Sequence, residues 1–260
     1  MNKKSKEEIV EKKLGIPPDY QYKAIRSKNI LQKNWHRNKW EVLQNYIEFK
    51  PNMRVLDLGT GSGNFELEFA DKVKGIVGVD YNDEALTFLQ KKLDKNKIKN
   101  VKLIQMDVRD EKISQLGKFD LIIMVDVIEH IKISDAKKLV RKMRNLLKSG
   151  GIVCIITPNY HSFWVLIEKV LDILTVIPKF DEEQHLAKYY RNNLIRLFRD
   201  ANFELKSVSS FNLFSYVYPV DFLSQYVLRF ELLMPVILGN LLVGTFRLPD
   251  KVSKKTKKRF

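Results

Sequence analysis

From Met53 onward the chain alternates short apolar runs with amphipathic segments, and that alternation leaves few folds open. MRVLDLG (53–59), GIVGVD (75–80), VKLIQMD (101–107), FDLIIMVD (119–126) and GIVCIITP (151–158) have strand length and are mostly apolar. Such runs suit strands buried on both faces. Between them lie SGNFELEFADKV, a segment from Asn82 through Ala85, Leu86, Leu89 and Leu93, and residues 134–148, which read as helices. Ser149-Gly150-Gly151 is expected to stop the last of these before the fifth strand. Strands joined through helices need crossover connections, and so imply a mostly parallel sheet covered on both faces. Further on, RNNLIRLFRDANF reads as a helix, FELKSVSSF as a strand and NLLVGTFRLP (240–249) as a closing strand.

The first fifty residues carry no strand-like alternation. Pro17-Pro18 marks a turn, and Trp35, Trp40, Leu43 and Ile47 share a helical face. The expected organisation is a helical cap over 1–50, one α/β domain over 51–250 and a basic tail, SKKTKKRF, within 251–260. At 260 residues and 45% hydrophobic composition a full core is available. A single cysteine, Cys154, excludes a disulfide framework and a cysteine-based metal knuckle. The charged start, MNKKSKEEIVEKK, has no apolar stretch of the secretory kind, so a cytoplasmic setting is expected.

Two segments exceed a minimal core. YHSFWVLIEKVLDILTVIPK (160–179) sets its polar residues on one stripe and leaves a wide apolar arc. PVDFLSQYVLRFELLMPVIL (219–238) is apolar but broken by Asp221, Arg229, Glu231 and Pro235. Neither holds the roughly 18 uninterrupted apolar residues of a membrane span. Each suits either packing on the core or an interfacial position on a membrane. The net charge of +15, from 46 Lys and Arg against 31 acids, favours an anionic partner, whether membrane surface or nucleic acid.

Chemistry is densest at Asp57-Leu58-Gly59-Thr60-Gly61-Ser62-Gly63, which joins a strand to a helix where open α/β sheets bind ligands. The dinucleotide pattern GxGxxG fails, because its third glycine would fall on Asn64 or Glu66. The acid at that helix start would also repel a pyrophosphate. Asp80 ends the second strand, 21 positions after Gly59, where nucleotide sites place the carboxylate that takes ribose hydroxyls. Asp107 ends the third strand. Three acids at strand ends suit a cationic nucleoside without phosphate.

This combination, with FDLIIMVDVIEH after it, resembles the class I S-adenosylmethionine-dependent methyltransferases over residues 50 to about 160. The resemblance implies a Rossmann-like, seven-stranded, mostly parallel sheet with one antiparallel edge strand. It implies that Gly59, Thr60, Gly61 and Gly63 pack on the methionine part of S-adenosylmethionine, and that Asp57 holds the loop and, through water, the ammonium. Asp80 would take the ribose, Tyr81 would flank the adenine and Asp107 would meet its amino group, with Val108, Val125 and Arg37 as further cofactor contacts. A structural role for Asp80 and Asp107, capping strand–helix turns, is the plainer alternative.

Asp126-Val127-Ile128-Glu129-His130 is similar to the acid-x-x-Glu-His segment of the ubiquinone-biosynthesis-type O-methyltransferases, as is the order Thr157-Pro158-Asn159, amphipathic insertion, His185. Asp126 stands where that branch has Glu, and Thr60 where it commonly has Cys. The likeness implies His130 and Glu129 as catalytic residues and Asp126, Glu129 and His130 as ligands of a divalent ion such as Mg²⁺. It also implies a lipophilic hydroxyl or phenol as acceptor, met at a membrane surface by the insertion. Alternatively Glu129 and His130 orient the loop, and His161 and His185 are pocket or surface residues. The same likeness implies that His36 would close over the cofactor from the N-terminal helix. Two other functions stay open, an RNA or protein methyltransferase and a non-catalytic scaffold. The absence of an Asn/Asp-Pro-Pro segment after the fourth strand and the mid-strand position of Cys154 weigh against RNA, and an intact glycine loop weighs against a scaffold.

Overall fold

A computed structural model describes residues 17–162, 185–233 and 238–250. The basic tail, most of the amphipathic insertion and residues 1–16 lie outside the described residues. Seven strands form one sheet in the order β3-β2-β1-β4-β5-β7-β6. They are β1 (Arg54–Leu58), β2 (Gly75–Asp80), β3 (Val101–Gln105), β4 (Phe119–Val125), β5 (Leu147–Pro158), β6 (Glu204–Phe211) and β7 (Leu241–Arg247). The first five pair parallel. β7 runs antiparallel to both of its neighbours and sits one place in from the β6 edge.

Side chains alternate across β4: Phe119, Ile122 and Met124 enter one core cluster, and Leu121, Ile123 and Val125 the other. The first cluster is closed by α5 (Ile133–Leu146) and α6 (Arg191–Arg199), through Ala136, Leu139, Val140 and Met143 and through Leu194 and Phe198. The second is closed by α2 (Ile30–Tyr46), α3 (Asn64–Phe69) and α7 (Asp221–Leu233), through Trp40, Leu43, Phe65, Phe69 and Leu228. The short α1 (Tyr20–Ala24) precedes α2, and α4 (Asp83–Lys95) follows β2. Asn29 and Asn82 start α2 and α4 by accepting from the amides two and three residues on, satisfying donors that the helix itself leaves unpaired.

One boundary departs from expectation. The helix before β5 ends at Leu146, and Ser149-Gly150-Gly151 belong to the strand. Gly150 has φ +72°, and Leu147 pairs with Phe119 before the register shifts, so these glycines serve a bulge. Cys154 is buried in β5, where burial pushes its thiol up to about 12. It is a packing residue.

Candidate active site

β1, β2, β4 and β5 end on the same side of the sheet, and their loops build the site. Gly59 and Thr60 donate their amides to Val79 O at 2.8 and 3.1 Å. Gly59 has φ +87°, and a Cβ there would fall 2.2 Å from Val127 Cγ2. The close approach needs glycine, and it brings the segment after β4 against the glycine loop. Gly63, at φ +79°, opens α3.

Asp80 accepts from Gly61 N at 2.7 Å through Oδ2 and from Asn82 N at 2.8 Å through Oδ1. The carboxylate thus ties the glycine loop to the start of α4. Asp107 is gripped by Arg109, whose Nε lies 2.9 Å from Oδ1. Val108 is part-buried beside it, Val125 is buried and Tyr81 is exposed.

Beneath the loop lies a pair of buried carboxyls. The Thr60 hydroxyl is 2.8 Å from Glu66 Oε1 and 3.3 Å from Asp57 Oδ2. It has one proton to donate, so the second contact requires a protonated carboxyl. Burial, with Glu66 and Asp80 beside it, pushes Asp57 up; burial, with Asp80 adding to it, raises Glu66 to about 7. Two desolvated carboxylates so close resist ionising together. Glu66 marked the failed dinucleotide pattern in the sequence; its partnership with Asp57 across Thr60 was not legible there.

A cavity of about 20 Å³ lies between this loop and α2, lined by Gln21, His36, Lys39, Asn64, Val125 and Asp126 among others. α1 lies directly on the loop: Tyr22 N donates to Ser62 Oγ at 2.8 Å and Asn64 Nδ2 to Gln21 O at 2.9 Å. From α2 the cation that reaches the site is Lys39, buried and paired with Asp126. Arg37, expected against the cofactor, instead pairs with Asp221 of α7 at 2.8 Å. Residues 36, 39 and 40 share the helical face turned inward by the burial of Trp40, whereas 37 points aside. A lysine on the apolar face of an amphipathic helix was the signal available for Lys39. Burial, with Lys39 adding to it, lowers His36 to about 3.

The acceptor-side residues regroup as well. Asp126, in left-handed backbone at φ +54°, faces Lys39. Among the described residues, the donor atoms that come within 4.8 Å of one another belong to Glu129, His130 and His185. Glu129 is buried, with Oε2 accepting from Thr157 Oγ1 at 2.9 Å, and burial raises it to about 7. His130 is exposed, its ring centroid 5.1 Å from that of His185. His185 Nδ1 is hydrogen-bonded to the Tyr160 hydroxyl, and burial lowers the ring to about 4. His161 stacks on Tyr190 at 4.2 Å, away from this group. One carboxylate with two imidazoles is a donor set for zinc, iron or manganese; Mg²⁺ prefers oxygen, so the set does not fit the magnesium expected from sequence.

The methyltransferase domain family profile matches residues 49–206. The ubiquinone biosynthesis O-methyltransferase of Acinetobacter baylyi is 22% identical over 192 residues, covering 73% of this chain and 76% of its own length. That of Glaesserella parasuis is 26% identical over 178 residues, covering 64% and 73%. Among solved structures, an S-adenosylmethionine-dependent methyltransferase from Mesorhizobium loti aligns with TM-score 0.55 at 16% identity, covering 81% of this chain and 97% of that one. A putative methyltransferase of Haloferax volcanii, in complex with the activator Trm112, aligns with TM-score 0.61 at 15% identity, covering 91% and 98%. With the strand order, the glycine loop and the acid after β2 all in place, the chain belongs to the class I S-adenosylmethionine-dependent methyltransferases.

Proposed function

We propose that this methyltransferase O-methylates a hydroxyl or phenol of a lipophilic acceptor at a membrane surface. The observation that carries the reading is the grouping of Glu129, His130 and His185, on a segment whose Val127 packs on Gly59 of the glycine loop. S-adenosylmethionine would lie along Gly59, Thr60, Gly61 and Gly63, with Asp57 beneath the loop. Asp80 would turn to the ribose, Tyr81 would flank the adenine, and Asp107 and Val108 would edge it, with Val125 at the methyl end. Lys39 and His36, which line the cavity beside the loop, would contact the cofactor in place of Arg37.

Methyl transfer is an in-line displacement, so much of the acceleration comes from holding the acceptor oxygen behind the methyl carbon. S-adenosylmethionine, once bound, would supply the methyl carbon, the new bond to oxygen forming as the bond to sulfur breaks and S-adenosylhomocysteine leaving. The hydroxyl proton passes to the His130 imidazole. Glu129, fixed by Thr157, orients the turn that carries His130. No step needs a magnesium ion. The names of the relatives support oxygen as the methylated atom.

The test is label transfer from methyl-labelled S-adenosylmethionine into a total cell extract, with and without EDTA, partitioned among organic solvent, nucleic acid and protein. Label in the organic phase that survives EDTA and falls at least about a hundredfold in His130→Ala is expected. Label in the RNA or protein fraction would overturn the acceptor, and loss with EDTA would overturn the metal-free base.

A further inference from the structure

α7 is anchored along a narrow stripe and bare over the rest. Ser224, Leu228 and Glu231 are buried, at positions i, i+4 and i+7. On the far side Phe222, Tyr226, Phe230 and Leu233 are 68, 71, 54 and 84% exposed. Their spacing of i, i+4, i+8 and i+11 makes them one stripe. The turn before α7 extends it with Phe214, Val217 and Val220, all exposed. A row of this size on a soluble domain marks a surface that meets something apolar.

The charges around it select the partner. Both acids of α7 are already engaged, one by cations and the other by hydrogen-bond donors. Asp221 is held by Lys33 at 2.6 Å and Arg37 at 2.8 Å, two cations on one carboxylate. Glu231 turns inward and accepts from Phe214 N at 2.7 Å, Ser215 N at 2.8 Å and Ser215 Oγ at 3.0 Å. The charge that remains on the outward face of α7 is Arg229. A second copy of this chain would bring Arg229 to such a contact and no acid of α7 that is not already ion-paired or turned inward. An anionic lipid surface offers both an apolar interior and charge of the right sign, on a chain of net charge +15. No described helix is long and apolar enough to cross a membrane, so the helix would lie in the interface.

We propose that α7, with the turn before it, seats the protein on an anionic lipid bilayer. The proposal rests on the membrane-surface reading of the function and names the surface. Past α7 the chain returns at Gly239 and Asn240, whose carbonyls accept from Asn159 Nδ2 at 2.8 Å and Asn159 N at 2.9 Å. Asn159 adjoins Tyr160, so the segment that follows α7 in sequence is bonded to the acceptor side.

The experiment is flotation of the full chain with phosphatidylglycerol–phosphatidylcholine vesicles and with pure phosphatidylcholine vesicles, without cofactor or acceptor. Because no methyl transfer is read, its failure is separate from failure of the proposed activity. The wild type is expected to float with the anionic vesicles, and Phe222→Asp/Phe230→Asp to partition at least about tenfold less. S-adenosylhomocysteine titration of that variant checks that it is folded. In Tyr226→Trp, the emission gained over the wild type, which already carries three tryptophans, is expected to be water-like in buffer, then to shift blue and be quenched when brominated lipid is present. Three results would overturn the proposal: no flotation of the wild type, equal flotation of the double variant, or indole emission from Tyr226→Trp already blue in buffer. The last would place the stripe under another part of this chain or a second copy.

Discussion

Replacing Glu66 by Gln tests the shared proton beneath the glycine loop. Glu66 is fully buried, and its carboxyl is raised from 4.5 to about 7. Across that window the folded chain keeps a proton that the unfolded chain releases. Stability therefore falls as pH rises from 4.5 to about 7, and is unaffected by this group outside the window. At 1.36 kcal/mol per unit the loss approaches about 3 kcal/mol. Glu66→Gln cannot ionise, and it removes the neighbour that helps to push Asp57 up, so both effects act in one direction. The amide can donate toward Asp57 as the protonated carboxyl does. Any packing offset is common to every pH, which makes the slope the readout. Urea unfolding of both proteins at half-unit steps from pH 4.5 to 8 should show the variant gaining about 3 kcal/mol on the wild type, mostly before pH 7. A difference that stays flat, or falls, would mean that the two carboxyls ionise without hindrance and share no proton.

Lys39→Met leaves Asp126 facing a buried apolar side chain and should cost about 3 kcal/mol, most of it recovered in Lys39→Met/Asp126→Asn; a double-mutant cycle by urea unfolding reads the coupling. Gly78→Ala would set a Cβ 2.5 Å from Thr60 Oγ1 and 3.0 Å from Glu66 Oε1. It should weaken S-adenosylhomocysteine binding at least about tenfold in calorimetry, by displacing the loop that Thr60 braces.

The features legible in sequence were local ones. Strand and helix positions follow from periodicity that a few residues carry, and β2 runs over Gly75–Asp80 as expected. The positive φ at Gly59, Gly61 and Gly63 is a demand of one tight turn, and Asp80 sits one strand away from it. Residues near in sequence, or joined by one crossover, leave such marks.

Tertiary structure decided everything that depended on which way a helix face turned or which loops met. Burial of Trp40 rotates α2 so that Lys39 reaches Asp126 and Arg37 goes to Asp221. One helical residue is about 100° of rotation, and composition does not choose the angle. His185 joins Glu129 and His130 because Ala187 N donates to Glu129 O and Tyr160 N to Tyr189 O, long-range bonds with no trace in spacing. β7 enters between β5 and β6 because sheet order is a matter of pairing across the whole domain. α7 was equally suited to core or interface by its sequence; the fold buries three of its positions and leaves its aromatic stripe to solvent.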